Sequence, residues 1–274
     1  PEATRAVARS CAGNLKKACL SAEKGERIME LRLDLHIHSE RSFDGCMSLS
    51  EIVALARERG LNGVAICDHD RVLDEVPEFD DFLVIPATEV STERGHLLGL
   101  FVREPIETRK FSESVTAIHA QGGLAVIAHP FEHSTDANRL DDVMSRLDGV
   151  EIWNSRADRK NKSANAMARE LAQKWKKPVT AGSDAHVPEE VGGGVTVLEA
   201  DELSLSAVKA ALLRGAKQVE GRRGRAMCVA RSQKTKREKT NAGVKRRVNG
   251  MLFTVKCALQ DFTTREDGWH VMDR

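Results

Sequence analysis

The chain has 274 residues, 42 Lys+Arg against 41 Asp+Glu, and a formal net charge of +1. That balance predicts neither a nucleic-acid binder nor an acidic solvating tail. Apolar residues make up 41%, enough for a substantial core, and Tyr is absent, which excludes any Tyr nucleophile or acid. No apolar run approaches the roughly 18 residues of a membrane-spanning helix.

The average charge conceals a segregation. Gly221 to Gly250 hold eleven basic residues and one acidic, net +10, and residues 251–274 carry −1, which leaves −8 on residues 1–220. The six cysteines (11, 19, 46, 67, 228 and 257) form no CxxC pair. A reduced, cytoplasmic setting fits them better than a secreted disulfide scaffold.

Residues 1–28 are polar and basic, without the apolar stretch of a signal peptide. They are expected to be an extension, or sequence upstream of a natural start at Met29. From Leu31 short apolar runs alternate with helical periodicity. LRLDLHI (31–37) reads as a strand, and SLSEIVALARERG (48–60) as a helix. Ser48 and Glu51 have capping-box spacing there, and Gly60 is the stop. Strands follow at 63–67, 82–86 and 96–101, then a helix at 112–121, a strand at 124–128 and a helix near 138–147. Next come a strand at 150–154, a helix at 161–176, strands at 179–183 and 195–198, and a helix at 204–214. Such alternation predicts an α/β fold, a parallel sheet with helices outside, in the form of a closed or distorted (βα) barrel. An open doubly wound sheet is less suited, since no GxGxxG fingerprint follows the first strand.

The unusual residues cluster at the C-terminal ends of these strands: Asp34, His36 and His38, then Asp68, His69 and Asp70, then Glu89, His129, Asp184 and His186. His96 opens its strand instead. In a parallel barrel that rim is a single face, where residues distant in sequence converge. On a strand, Asp34, His36 and His38 share one side, and a neighbouring carboxylate can orient an imidazole that binds metal. HxH alone is better read as a pair of satisfied or surface histidines, and each motif alone is weak; the concentration of all of them at strand mouths is not explained that way. Mixed imidazole and carboxylate donors select zinc, manganese or iron over calcium, and this many imply more than one ion. Such a cluster generates a nucleophilic hydroxide and clamps phosphoryl oxygens, so the donor set predicts metal-assisted hydrolysis. Asp34 and Asp68 are counted with the catalytic group. Arg156, just after VEIWN, and Arg94, just before His96, are candidates to orient a phosphate, against the alternative of solvated surface arginines. His133 is a candidate to protonate a leaving group, or else a hydrogen-bonded surface residue.

Taken in order, DLHIHS (34–39), ICDHD (66–70), ATEVS with GHLLGLF (87–101), VIAHP (126–130) and GSDAH (182–186) resemble the motifs of the PHP family, named for its polymerase and histidinol phosphatase members. The resemblance covers residues 29–221. It implies a distorted (βα)7 barrel, three divalent metal ions (Mn, Zn or Fe) and phosphoesterase activity. It further implies that His36, His38, Glu89 and Asp184 hold one ion. Glu89 is then shared with a second held by His96 and His129, and Asp44, His69 and His186 hold a third. Asp44 stands six residues after His38, where some members place this ligand at five. The chain most resembles small stand-alone phosphoesterases, some acting on nucleotides or on short RNA. The stretch from Leu97 to Ala128 is too short for the insertion typical of the nucleotide-acting ones.

Residues 222–274 are expected to be a basic linker followed by an amphipathic helix. From Val244 onward, Val248, Met251, Leu252, Val255, Leu259 and Phe262 recur at spacings of three and four. Residues 222–262 can thus contact nucleic acid or an anionic membrane, but the stripe is expected to dock on the barrel or on a partner chain. The leading expectation is a phosphoesterase acting on a small phosphorylated substrate, nucleotides included. The alternatives are an exonuclease on short RNA or DNA, and a non-catalytic metal-bound scaffold that binds through its tail.

Overall fold

The computed structural model describes residues 28–264 and 268–273, so the N-terminal extension expected over 1–28 lies outside the described residues except for Ile28. In chain order the elements are β1 (Met29–Ile37), α1 (Leu49–Glu58), β2 (Gly63–Ile66), β3 (Leu83–Thr92), β4 (Gly95–Leu100), α2 (Phe111–Ala120), β5 (Leu124–Ile127) and β6 (Gly149–Asn154). There follow α3 (Ser155–Lys160), α4 (Ala164–Trp175), β7 (Val179–Gly182), β8 (Gly194–Ala200), α5 (Leu205–Arg214), β9 (Gln218–Gly221), α6 (Ala226–Lys239), α7 (Val244–Thr263) and β10 (His270–Asp273).

The strands form one curled sheet in the order β10-β9-β8-β1-β2-β3-β4-β5-β6-β7. The runs β1-β2-β3 and β5-β6-β7 are parallel, but β4 is antiparallel to both neighbours, and β8, β9 and β10 are antiparallel as well. The purely parallel sheet expected from the alternation is therefore corrected. Glu93 and Arg94 alone separate β3 from β4, a hairpin length that leaves no room for a crossover. The curled sheet closes toward itself where the chain leaves β7. Asp184 N donates to the His36 carbonyl and His38 N to the Ala185 carbonyl, each at 2.8 Å. Thr196 Oγ1 joins β8 to β7 by accepting from Ala181 N at 2.8 Å. The result is the distorted α/β barrel that the strand pattern predicts.

Local chemistry explains the elements that bring the site together. Ser48 Oγ accepts from Glu51 N at 3.2 Å and starts α1, whose Ile52, Val53 and Ala56 are buried. On β1, Leu31, Leu33 and Leu35 enter the main core while Asp34 and His36 alternate with them. A second buried cluster joins Ile37, Ile52 and Val64 to Val195 and Val197 beneath α1. Between residues 138 and 147, only a single 3-10 turn, Met144–Arg146, stands where a helix is expected.

The C-terminal region departs further from expectation. Residues 226–239 are helix α6 rather than linker, and β10 returns to pair with β9. Cys257 of α7 meets Ala226 and Ala230 of α6 in a small separate core, joined by Phe253 and Met227. The Arg237 guanidinium lies over Gly250, where a Cβ would stand 2.4 Å from its carbon and displace that side chain. The apolar stripe of α7 is not docked on the barrel: Val244, Val248, Met251, Leu252, Val255, Leu259 and Phe262 are all exposed. Contact with α6 uses the opposite face of the helix. Asp261 at the end of α7 accepts from Ala226 N (2.7 Å) and Met227 N (2.9 Å), satisfying donors that the N-terminus of α6 leaves open. Replacing Asp261 with Ala is expected to cost about 1 kcal/mol, the ordinary worth of a helix cap, read as a lower midpoint in denaturant unfolding.

Candidate metal centre

Glu89, on β3, is almost wholly buried, and imidazoles surround its carboxylate. His96 Nδ1 lies 2.7 Å and His129 Nε2 2.9 Å from Oε1, and His69 Nδ1 lies 2.8 Å from Oε2. His36 and His38 approach the same carboxylate at 3.6 and 3.5 Å. Asp184 stands opposite, with Oδ1 at 3.3 Å from His38 Nε2 and 3.5 Å from His186 Nδ1. Asp44 completes a corner with His186 (3.4 Å) and His69 (3.6 Å). All nine sequence-selected residues thus converge, drawn from β1, β3, β4 and the chain following β1, β2, β5 and β7.

The backbone is bent to achieve this. His129 (φ 27°) and Asp184 (φ 57°) both lie in the left-handed region that residues with side chains avoid. Gly182 is needed just before: a Cβ there would stand 2.2 Å from His36 Cβ and 2.8 Å from Glu151 Oε1. Glu151 is a residue that sequence reasoning missed. It accepts from His129 N at 2.8 Å and lies 2.9 Å from His36 Nδ1, leaving His36 Nε2 turned to the cluster. It is 1% exposed, and nothing in the run VEIWN distinguishes it from an outward-facing strand residue.

The electrostatics are those of a cation site. Burial would raise the Glu89 carboxyl, but His96, His69 and His36 outweigh it and hold it well below the usual range. Burial also pushes His38 well below its ordinary value, assisted by His186 and His69, so this ring keeps a free lone pair. Burial opposes the charged form of His69 and His129 too, but Glu89 overrides it and lifts them to about 10 and about 9. His69 and His129 thus favour their protonated forms beside the buried Glu89.

A divalent cation fits in place of those protons. His36 Nε2 and His38 Nε2 face each other at 3.2 Å, two nitrogens directed at a common point. Asp44 Oδ1 is buried without a hydrogen-bond partner. Three groups have donor atoms within 4.8 Å of one another: His36, His38 and Asp184; His36, Glu89 and His129; His38, His69 and His186. Imidazole and carboxylate are donors for zinc, manganese or iron.

The other expected site residues take different places. The Asp34 carboxylate accepts from Ser183 N (2.9 Å) and Gly192 N (2.8 Å), and burial pushes it up to about 6 in spite of these donors. Asp68 accepts from Ser39 N (2.7 Å) and Ser39 Oγ (2.6 Å). Both hold loops instead of joining the cluster. Arg156 grips Glu190 with Nε (2.8 Å) and a terminal nitrogen (2.6 Å), and Ser232 of α6 with another (3.1 Å). Glu190 in turn accepts from His186 N at 2.9 Å, so Arg156 braces that ligand candidate from behind. Arg94 lies outside the cavity, paired with Asp142 at 2.7 Å, because the tight hairpin carries it outward. His133 sits exposed at the rim beside Lys160 and Glu132.

A cavity of about 810 Å³ opens over the cluster, and its far wall is cationic: Arg159 and Lys160 of α3, Lys236 and Arg237 of α6, and Arg246 of α7. Arg159 Nε is a buried donor with no partner. Lys239 of α6 donates to the carbonyls of Glu40, Ser42 (2.8 Å) and Gly45 (2.9 Å), clamping the loop that carries Asp44. The basic tail therefore lines the cavity and holds the Asp44 loop, a placement the sequence pattern did not indicate.

The family profile described as PHP domain matches residues 34–140, and that described as PHP-associated matches residues 162–216. An uncharacterized protein of Methanocaldococcus jannaschii is 33% identical over 166 residues, 53% of this chain and 95% of that protein. A probable phosphatase of Shewanella amazonensis is 23% identical, over 60% of this chain and 80% of its own length. Among solved structures, a two-domain protein of Bacteroides vulgatus containing a predicted PHP-like metal-dependent phosphoesterase aligns with TM-score 0.56 at 18% identity, covering 76% of this chain and 70% of that one. A lesion-specific endonuclease of Pyrococcus furiosus aligns with TM-score 0.52 at 18% identity, covering 70% and 58%. The fold and the site define a metal-dependent hydrolase of the phosphoesterase class. The chain belongs to the PHP family.

Two outcomes follow from the geometry. Gly182→Ala is expected to displace His36 and lower the metal retained after dialysis, measured by elemental analysis, while far-ultraviolet circular dichroism stays unchanged. Because His69 and His129 are raised, metal uptake near neutral pH must expel their protons. Titration calorimetry in buffers of different ionisation enthalpy is expected to show protons released on binding, with affinity rising with pH until about 10. Uptake without proton release would contradict the protonation described above.

Proposed function

We propose that this chain hydrolyses a phosphate monoester of a small substrate whose remaining negative charge faces the α3–α6–α7 wall. The supporting observation is a cavity in which seven of the nine converging donor residues face Arg159, Lys160, Lys236, Arg237 and Arg246. We assign His36, His38, Glu89 and Asp184 to one ion, Glu89, His96 and His129 to a second, and Asp44, His69 and His186 to a third. Bound divalent ions would supply Lewis acidity and an activated water.

The chain's own residues perform the remaining work. Glu151 fixes the His36 ring, and Arg156 through Glu190 fixes His186. Arg246 and Lys236 receive the part of the substrate beyond the reacting phosphate. Phe43 is already stacked on His69 (centroids 4.6 Å apart) with Lys236 at 4.2 Å from its ring, so it is not a free platform for a base. Nucleotides fall within this class through their charge. The row of cations along α6 and α7 also supports a second reading, cleavage of short RNA or DNA. Cys46, Cys67, Cys228 and Cys257 are free thiols, which fits the cytoplasmic setting we infer.

Metal-replete protein is expected to release phosphate from a panel of phosphomonoesters, to stop on chelation, and to be inert as His36→Ala. Arg246→Ala, at an exposed position, is expected to raise KM about tenfold for esters bearing a second anionic group, with kcat and p-nitrophenyl phosphate turnover unchanged. Oligonucleotide turnover without monoester turnover would favour the nuclease reading. Tightly bound metal with no turnover on any phosphoester would overturn both readings and leave a scaffold.

A further inference from the structure

The two sides of α7 have opposite surroundings. Gly250 and Cys257 are buried toward α6, and Arg246, Asn249 and Phe253 line the cavity. On the other side Val248, Met251, Leu252, Val255, Leu259 and Phe262 share one face, and nothing among the described residues covers it. Met251 is 70% exposed and Phe262 90%. Single exposed apolar residues are ordinary in folded proteins. A continuous stripe along a 20-residue helix is not, and it marks a surface that something covers.

The charges beside the stripe indicate what covers it. At about 100° per residue, Lys245 and Lys256 flank one edge of the stripe and Arg247 the other. The single acidic residue of α7, Asp261, is already engaged by the backbone at the start of α6. A second copy packed stripe to stripe would set these cations against their own kind with no free carboxylate between them. A lipid surface with anionic headgroups matches both features. Its acyl boundary takes the apolar side chains, while long cationic side chains at the shoulders reach back to the phosphates. No helix among the described residues is long and apolar enough to cross a membrane, so α7 would lie in the plane of the surface.

We propose that α7 seats this protein on an anionic membrane surface, with the Val248–Phe262 stripe in the headgroup–acyl boundary and Lys245, Arg247 and Lys256 against lipid phosphates. The opposite side of the helix, which lines the cavity, stays free in this arrangement.

The test is co-sedimentation of the full chain with vesicles of mixed phosphatidylglycerol and phosphatidylcholine, against pure phosphatidylcholine. Binding is expected to the mixed vesicles only and to weaken at high salt. The double variant Val255→Asp/Leu259→Asp changes exposed positions outside the site, and its thermal unfolding midpoint reports folding independently. It is expected to lower the partition coefficient at least tenfold. Lys245→Glu/Lys256→Glu is expected to remove the preference for anionic lipid. No binding to either vesicle, or equal binding to both, would overturn the proposal. So would a wild-type dimer in light scattering that the Asp variant splits, since a second copy would then be the occupant.

Discussion

The organising constraint is the Glu89 carboxylate. It lies 1% exposed, near the mouth of a closing barrel, where an unpaired charge would cost several kcal/mol. The chain answers with five imidazoles from four separate segments, and their positions then dictate much else. His129 accepts a left-handed backbone, Gly182 forgoes a side chain, and Glu151 is buried to orient His36. Each of these is unfavourable alone. They are mutually supportive only if positive charge resides at the centre, whether as protons or as metal. The strand-mouth strain is therefore the local cost of concentrating donors where three chain segments close the barrel.

This dependence separates what the sequence reveals from what it hides. The ligand candidates were legible because His and acidic residues at strand ends are chemically conspicuous, and the strands themselves show as short branched runs. The direction of β4 was not legible, because the sequence pattern ends β3 at residue 86, whereas the strand runs on to Thr92 and leaves only Glu93 and Arg94 as a link. Asp34 and Asp68 look like working groups in the sequence because they neighbour ligands, yet their partners are loop backbone and Ser39, whereas Arg156 both holds Glu190 and lines the cavity. No one-dimensional pattern distinguishes a carboxylate that faces a cavity from one that pins a loop. Glu151 was concealed by its apolar setting, and α6 by a composition that offers almost no apolar face. α6 is held through Ser232, Lys239 and its contact with α7, all of them long-range.

The segregated charge now has a structural meaning. The acidic barrel and the basic tail meet across one cavity, where carboxylates stand on the floor and Lys236, Arg237 and Arg246 form the wall. An anionic ester entering there would approach cations on the tail side and bound metal on the barrel side. Near-neutral net charge is the sum of two facing surfaces, and neither surface is itself neutral.

The tail also reaches into the donor geometry without contributing a donor. His36, Glu89 and His129 are carried and oriented by barrel elements, His36 and His129 through Glu151 of β6. The corner made by Asp44 and His186 is different. Lys239 fixes the Asp44 loop by donating to three carbonyls, and Ser232 engages Arg156, which holds Glu190 against the His186 backbone. Disturbing α6 should therefore affect that corner before the rest, since the remaining donors have barrel supports of their own. α7 is joined to this same helix through Asp261, which accepts from Ala226 N and Met227 N, so α6 and α7 stand on that corner as a pair.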